Sequence, residues 1–211
     1  MNIIFLDEVD STQSYLKELI KTGNYNYPTC ITSDMQTAGI GSRGNSWSGK
    51  KGNLFFSFVI KKDDLPKDLK LQSASIYFSY MLKNILAQKN SKLWLKWPND
   101  FYIDDKKIGG TITTVLKDLV LCGIGLNLVE VSKEYGRLDI KIDKKECLNL
   151  YFESLQKQIS WKEVFSQFKV EFQKSRKFKA TINNKKISLE NAVLLNDGSI
   201  EIENKKVFSL R

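Results

Sequence analysis

Four short stretches hold the residue types that chemistry uses. Gln36-Thr37-Ala38-Gly39-Ile40-Gly41-Ser42-Arg43-Gly44-Asn45-Ser46-Trp47 spaces its glycines around one cation and ends on an aromatic ring. Glycine lets a backbone turn and approach a ligand closely, and successive amide N–H groups form a nest for a carboxylate or phosphate. Lys96-Trp97-Pro98-Asn99-Asp100 closes an apolar strand whose exit direction Pro98 fixes. Lys96 there is either a cation held in a cleft for anionic oxygen or an edge-strand lysine turned to water. Lys106-Lys107-Ile108-Gly109-Gly110 suits a phosphate-approach segment or a solvated hairpin turn. In Gly123-Ile124-Gly125-Leu126-Asn127, glycines inside an apolar strand signal close backbone approach or a bulge, and Asn127 offers both donor and acceptor.

The elements that must position these stretches alternate along the chain. A strand at Ile3 to Leu6 leads to Asp10-Ser11-Thr12, N-cap residues ahead of Tyr15, Leu16, Leu19 and Ile20 at helical spacing, and Gly23 ends that helix. Strand-like patterns at Cys30 to Asp34 and Leu54 to Ile60 flank a long loop from Gly39 to Gly52. A helix over Leu71 to Ala87 precedes a strand at Leu93 to Trp97, and three further strands, at Phe101 to Ile103, Ile108 to Leu116 and Val120 to Leu128, form a meander. Helices at Lys144 to Gln158 and Trp161 to Phe178 follow, the second with Val164, Phe165, Phe168 and Phe172 on one face. Past Lys179 the pattern changes to short β-like runs between polar turns. There Ile182-Asn-Asn-Lys-Lys-Ile187 and Ile202-Glu-Asn-Lys-Lys-Val207 are expected to be two hairpins using one kind of turn.

Composition narrows the chemistry. The sequence has 211 residues with no histidine, which excludes Ser–His and Cys–His nucleophile pairs and histidine metal sites. Lysine, arginine, carboxylates and backbone amides must do the work. Cys30, Cys122 and Cys147 have no paired spacing, so reduced thiols in a cytoplasmic protein are expected. Neither a secretory leader nor a membrane-spanning run is apparent. The formal charge of +9 suits nucleic acid, an acidic partner protein or a polyanion such as ATP.

Together with Asp10-Ser11-Thr12-Gln13 ahead of them, the four stretches resemble, in combination and in order, the motif set of biotin-protein ligases: D-S-T-N, Q-x-x-G-x-G-x-x-x-x-x-W, K-W-P-N-D followed by K-x-x-G, and G-I-G-x-N. Phe208-Ser209-Leu210-Arg211 resembles the S-L-R that closes the family's small C-terminal module, so the likeness spans essentially the whole chain. Two departures stand out. Where the family loop commonly has G-R-G-R-x-x-R, this chain has Ile40, Ser42 and Asn45 and keeps Arg43, and Gln13 replaces the asparagine of the opening motif.

The resemblance implies an α+β fold: a mixed, largely antiparallel sheet with helices, the class II synthetase-like catalytic fold, over residues 1–178, and an SH3-like β module over 179–211. It implies ATP-dependent formation of biotinyl-5'-AMP and transfer of biotin to a lysine of a biotin carboxyl carrier protein. Because the chain opens on the catalytic motifs, a type lacking the N-terminal DNA-binding domain is expected, and DNA binding is not. Lys96 and Arg43 would be catalytic. Ser11, Thr12, Gln13, Gln36, Gly39, Lys96, Gly109 and Gly110 would bind biotin, and Gly41, Arg43, Trp47, Asn99, Asn127 and Arg211 the nucleotide. Magnesium would arrive with ATP near Asp100 and Asn127, without a cage made of protein alone. The partners would be biotin, ATP and the acidic acceptor domain of a carboxylase, for a monomer or a homodimer, with no membrane. Two other readings stand beside this one: a lipoate- or octanoate-protein ligase of the same fold, disfavoured by K-W-P-N-D and the lack of histidine, and a basic nucleic-acid-binding protein, disfavoured by the dispersal of its cations.

Overall fold

The structure, a computed structural model, describes residues 1–42, 45–183 and 185–208. Its centre is an eight-stranded sheet with seven strands in the order β1-β2-β4-β8-β7-β6-β5 and β3 paired to β2. The strands are β1 (Asn2–Val9), β2 (Thr29–Ile40), β3 (Ser46–Gly49), β4 (Leu54–Lys61), β5 (Trp94–Lys96), β6 (Asp100–Ile103), β7 (Lys106–Leu116) and β8 (Leu119–Leu126). β1 and β2 run parallel, and the other pairs of this sheet are antiparallel.

Period-two alternation divides the sheet into two faces. Phe56 and Phe58 of β4 and Cys122, Ile124 and Leu126 of β8 face an apolar layer built by helices α2 (Ala74–Gln88), α3 (Lys144–Gln156) and α4 (Trp161–Ser175). α2 is buried on most of its circumference, because the sheet lies on one side and the other helices on the other. On the opposite face, Ile31, Val59 and Leu121 pack with Leu16 of α1 (Thr12–Thr22). Ser11 caps that helix by accepting from the Ser14 amide at 3.4 Å, and Gly23, with φ of 74°, ends it in the left-handed conformation. α1 covers part of its face, and the rest is the open floor of a cleft.

The stretch expected to be a loop from Gly39 to Gly52 is a hairpin for part of its length. β2 continues to Ile40 and β3 returns along it, pairing Gly39 with Trp47 and Gln36 with Gly49. The glycines permit that approach: a Cβ on Gly49 would stand 1.8 Å from the Gln36 carbonyl oxygen.

Past α4 the chain forms two small sheets, β9 (Lys179–Ile182) with β10 (Lys185–Ser188), and β11 (Val193–Leu194) with β12 (Ile200–Ile202) and β13 (Lys205–Val207). Ile182 pairs with Lys185 and Ile202 with Lys205, so both similar sextets are tight hairpins. Asn183, Glu203 and Asn204 have φ of 49°, 50° and 58°, as such turns require. Ala180, Ile182, Ile200 and Ile202 join the same apolar core as the three-helix layer. No helix among the described residues is long and apolar enough to cross a membrane.

Candidate active site

The open part of the sheet is floored by two cross-strand rows. One runs Ser57, Gly123, Ile112 and the next Phe55, Gly125, Gly110, Asp100, Lys96. The G-I-G stretch of β8 therefore offers two side-chain-free positions on one face, each covered by a side chain from another element. A Cβ on Gly123 would meet Gln13 Oε1 at 2.2 Å, and one on Gly125 would meet Trp47 Nε1 at 2.8 Å. Gln13 comes from the first turn of α1 and Trp47 from β3, so the two glycines seat the helix start and the hairpin over the floor.

The result is a cleft open to solvent, lined at one end by Ser11, Thr12, Gln13, Gln36 and Ser57. At this end Thr12 donates from its amide (2.8 Å) and its hydroxyl (3.0 Å) to Gln36 Oε1, and its hydroxyl lies 2.9 Å from Ser57 Oγ. Ser57 Oγ and Gln13 Oε1 are 3.5 Å apart. This cluster, largely withdrawn from water, suits a neutral ligand head rich in donors and acceptors. Ile40, Gly41, Ser42 and Trp47 form the side belonging to the hairpin, and the indole N–H of Trp47 is buried with no acceptor among the described residues.

Charge gathers at the other end, where Asn99, Asp100, Lys107 and Gly110 line the cleft. Lys96 stands one strand behind the wall, 7% exposed, with Nζ 3.5 Å from Asp100 Oδ2 and 5.6 Å from the Tyr102 ring centroid. Asp100 Oδ1 receives Lys107 Nζ at 2.6 Å. The β5 strand that carries Lys96 is held on all sides. Leu95 N donates to Glu171 Oε2 of α4 at 3.1 Å, Trp97 N to Ser175 Oγ at 3.0 Å, and Trp97 Nε1 to the Gly198 carbonyl at 2.9 Å. Burial and the Asp100 carboxylate push the Tyr102 phenol up, and burial raises the thiols of Cys30, Cys122 and Cys147. These groups stay protonated near neutrality, and the three cysteines lie in the core and not in the cleft.

The expected residues separate on this geometry. Ser11, Thr12, Gln13, Gln36, Gly41, Trp47, Asn99 and Gly110 line the cleft, and Lys96 reaches its charged end through Asp100. Gly109 lies on the other face of β7, where a Cβ would meet the Gly125 carbonyl oxygen at 2.5 Å and the Phe101 ring at 2.8 Å, so it serves the core. Gly39 is buried at the hairpin and lets Trp47 and Gln36 close in. Asn127 is turned away: its Nδ2 donates to the Gly136 carbonyl at 3.1 Å, since β8 ends at Leu126 and the chain leaves the sheet. Arg43 and Arg211 lie outside the described residues. A magnesium site built on Asp100 and Asn127 does not fit, because the Asp100 carboxylate sits between two ammonium groups and Asn127, held by its Nδ2 on the Gly136 carbonyl, is not among the residues that line the cleft. No group of three carboxylates or thiols that could hold a metal occurs among the described residues.

The cleft also takes in Ser57, Thr111 and Ile112, to which no role attaches from sequence alone, and Lys107, which belongs to the stretch read as a phosphate-approach segment or a hairpin turn. Ser57 had a signal, as the lone hydroxyl in the apolar run Leu54 to Ile60. Lys107 had a weaker one, because its orientation depends on a shift of the β6–β7 register between Phe101 and Tyr102, which pairs Phe101 with Gly109 and Tyr102 with Lys107.

A family model described as the biotin/lipoate A/B protein ligase family matches residues 5–127, a span that contains every described cleft residue. The chain belongs to this family. Among solved structures, the biotin acetyl coenzyme A carboxylase synthetase of Helicobacter pylori, with bound biotinylated ATP, superposes with a TM-score of 0.94 at 38% identity, covering 98% of this chain and 99% of that one. The biotin protein ligase of Aquifex aeolicus in complex with biotin and ATP gives 0.75 at 25% identity, over 100% and 96% of the two chains. The bifunctional ligase/repressor BirA of Bacillus spizizenii is 30% identical over 141 residues, 64% of this chain and 42% of that protein. The chain thus spans less than half the length of such curated relatives. Family membership gives the fold, and the chemistry of the cleft must choose the reaction and the acid.

Proposed function

We propose that this chain activates biotin with ATP and transfers it to a lysine of a carboxylase's biotin acceptor domain. The observation that carries the reading is the convergence of the neutral hydrogen-bonding end and the cationic end in one cleft. A biotin molecule has a polar ureido head, an apolar body and a carboxylate tail, and the cleft presents Thr12, Gln13, Gln36 and Ser57, then Ile112 with the Trp47 ring, then Lys107 and Asp100 backed by Lys96. A dithiolane ring would leave buried amides and hydroxyls without partners, which disfavours lipoate. The relatives named for biotin support the same choice.

In the first step the biotin carboxylate oxygen attacks the α-phosphorus of ATP and pyrophosphate leaves. In the second, the amine of the acceptor lysine attacks the carbonyl carbon of the mixed anhydride, AMP leaves and the amine gives up a proton. Two anions must meet in line, so the site has to offset their repulsion. Lys96, on a strand anchored to α4 and to the C-terminal sheet, supplies that charge. The β2–β3 hairpin covers the anhydride, with Trp47 seated on Gly125 to keep water away, and its unpaired indole N–H is placed to donate to the ligand. Magnesium enters as the partner of the ATP phosphates.

The test is transfer itself. The enzyme with biotin, ATP and an isolated carrier domain is expected to add one biotin to that domain, and none when the acceptor lysine is replaced by arginine. A carrier left unmodified by folded enzyme, or modified with lipoate and not with biotin, would overturn the reading.

A further inference from the structure

The two lysine-bearing hairpins past α4 take no part in the cleft, yet together they build a second concave surface. In Ile182-Asn-Asn-Lys-Lys-Ile187 and Ile202-Glu-Asn-Lys-Lys-Val207 the first apolar residue pairs with the first lysine, Ile182 with Lys185 and Ile202 with Lys205. Cross-strand partners share a face, as do residues two apart. One face of the β9–β10 hairpin therefore carries Ile182, Lys185 and Ile187, and one face of the β12–β13 hairpin carries Ile202, Lys205 and Val207. These two faces line a single groove, with Lys206 and Phe208 at its side.

The groove has an apolar floor and a cationic rim. Ile182 and Ile202 are sunk into the main core at 5% and 8% exposure, and Ile187 and Val207 are half-buried. Lys185 and Lys205 are exposed, and their methylene stems extend the apolar wall. Lys206 Nζ lies 2.6 Å from Asp197 Oδ2 and 5.0 Å from the centroid of the Phe208 ring. Glu203 is the one carboxylate lining the groove among the described residues.

Such a surface selects a ligand with an apolar body and an anionic head. Aliphatic side chains give the floor nothing to hydrogen-bond, so a peptide laid there would press its amides against hydrocarbon, whereas an alkyl chain needs no partner. The ammonium groups of the rim attract negative charge. We propose that this groove binds a long-chain carboxylate, a free fatty acid, with the alkyl chain over Ile187 and Val207 and the carboxylate between Lys185 and Lys205. Among the described residues the groove shares no lining residue with the candidate active site, so the inference does not depend on the function proposed above.

The experiment is titration calorimetry of the whole chain with dodecanoate, below its micelle concentration and at low salt. Saturable one-to-one binding is expected, weakened about fourfold for each methylene removed from the buried chain. Replacing the acid by dodecan-1-ol should weaken it about tenfold, the scale of two exposed charge pairs. Lys185→Glu combined with Lys205→Glu reverses the rim and should cost about 30-fold, with the melting temperature held within a few degrees because both side chains are exposed. Saturating biotin and ATP should leave dodecanoate binding unchanged. Absence of saturable binding, equal affinity for the alcohol, full affinity in the reversed variant, or displacement of dodecanoate by biotin would each overturn the proposal. Tighter binding of a peptide of alternating leucine and glutamate, or of anionic phospholipid vesicles, lost in the reversed variant, would overturn it in favour of that ligand.

Discussion

Lys96 shows what one residue must do at this site. Its neighbours Leu95 and Trp97 are fully buried, and its own side chain is drawn in with them at a place where Asp100 and Lys107 already crowd the charge. Lys96→Ala is expected to reduce adenylation roughly 1,000-fold, about 4 kcal/mol of lost transition-state stabilisation. The fold should persist, since Asp100 keeps Lys107 as a partner. Exchange kinetics and a thermal melt on the same preparation check both halves, and near-native turnover would remove Lys96 from its role. Sequence alone left Lys96 open between a cleft cation and an edge-strand lysine turned to water, and its burial removes the second reading. Asn127 was less legible. Two positions past Gly125 it belongs to the cleft face by alternation, but β8 stops at Leu126 and the side chain turns to Gly136.

At the scale of elements, paired glycines do opposite jobs on adjacent strands. Gly125 on β8 receives Trp47, and Gly109 on β7 receives the Gly125 carbonyl and the Phe101 ring. Gly125→Ala should push Trp47 and its hairpin outward, keep the melting temperature within a few degrees and release adenylate roughly 10-fold faster in a single-turnover chase. Gly109→Ala presses on backbone, so about 2 kcal/mol of stability and about 5 °C in melting temperature should be lost. If the two variants exchange these outcomes, the face assignment of β7 and β8 is wrong. Period-two patterns made most strands legible to within a few residues, and helical spacing did the same for the helices. The β2–β3 hairpin was not, because glycines that signal a loop also let two backbones pack closely. The bulge that aims Lys107 has no local sequence marker, since it arises from the pairing of β6 with β7.

Across the whole molecule, the strand order was the least legible feature. β5 ends on the edge farthest from β1, held there by α4 and by the Gly198 carbonyl, contacts that bring together residues remote in sequence. The C-terminal sheets thereby support the strand that carries Lys96. Their attachment includes an acid-sensitive element at Asp197, where burial alone would raise the carboxyl. Hydrogen bonds from Lys206 and from the Ser199 hydroxyl and amide outweigh it and hold the group at about 2 instead of the ordinary 3.8. A depressed folded-state value means stability that is present above about pH 4 and is lost as pH falls toward 2. Melts of the native chain and Asp197→Asn should therefore differ near pH 6 and converge on acidification, whereas a constant gap would contradict the linkage.

The central claim is that this cleft joins biotin to a nucleotide. It is tested most directly by exchange of labelled pyrophosphate into ATP, run with biotin, with lipoate and with no acid. Exchange with biotin alone is predicted, lost in Lys96→Ala. Absence of exchange with biotin in folded, ATP-supplied enzyme, or exchange driven equally by lipoate, would contradict it.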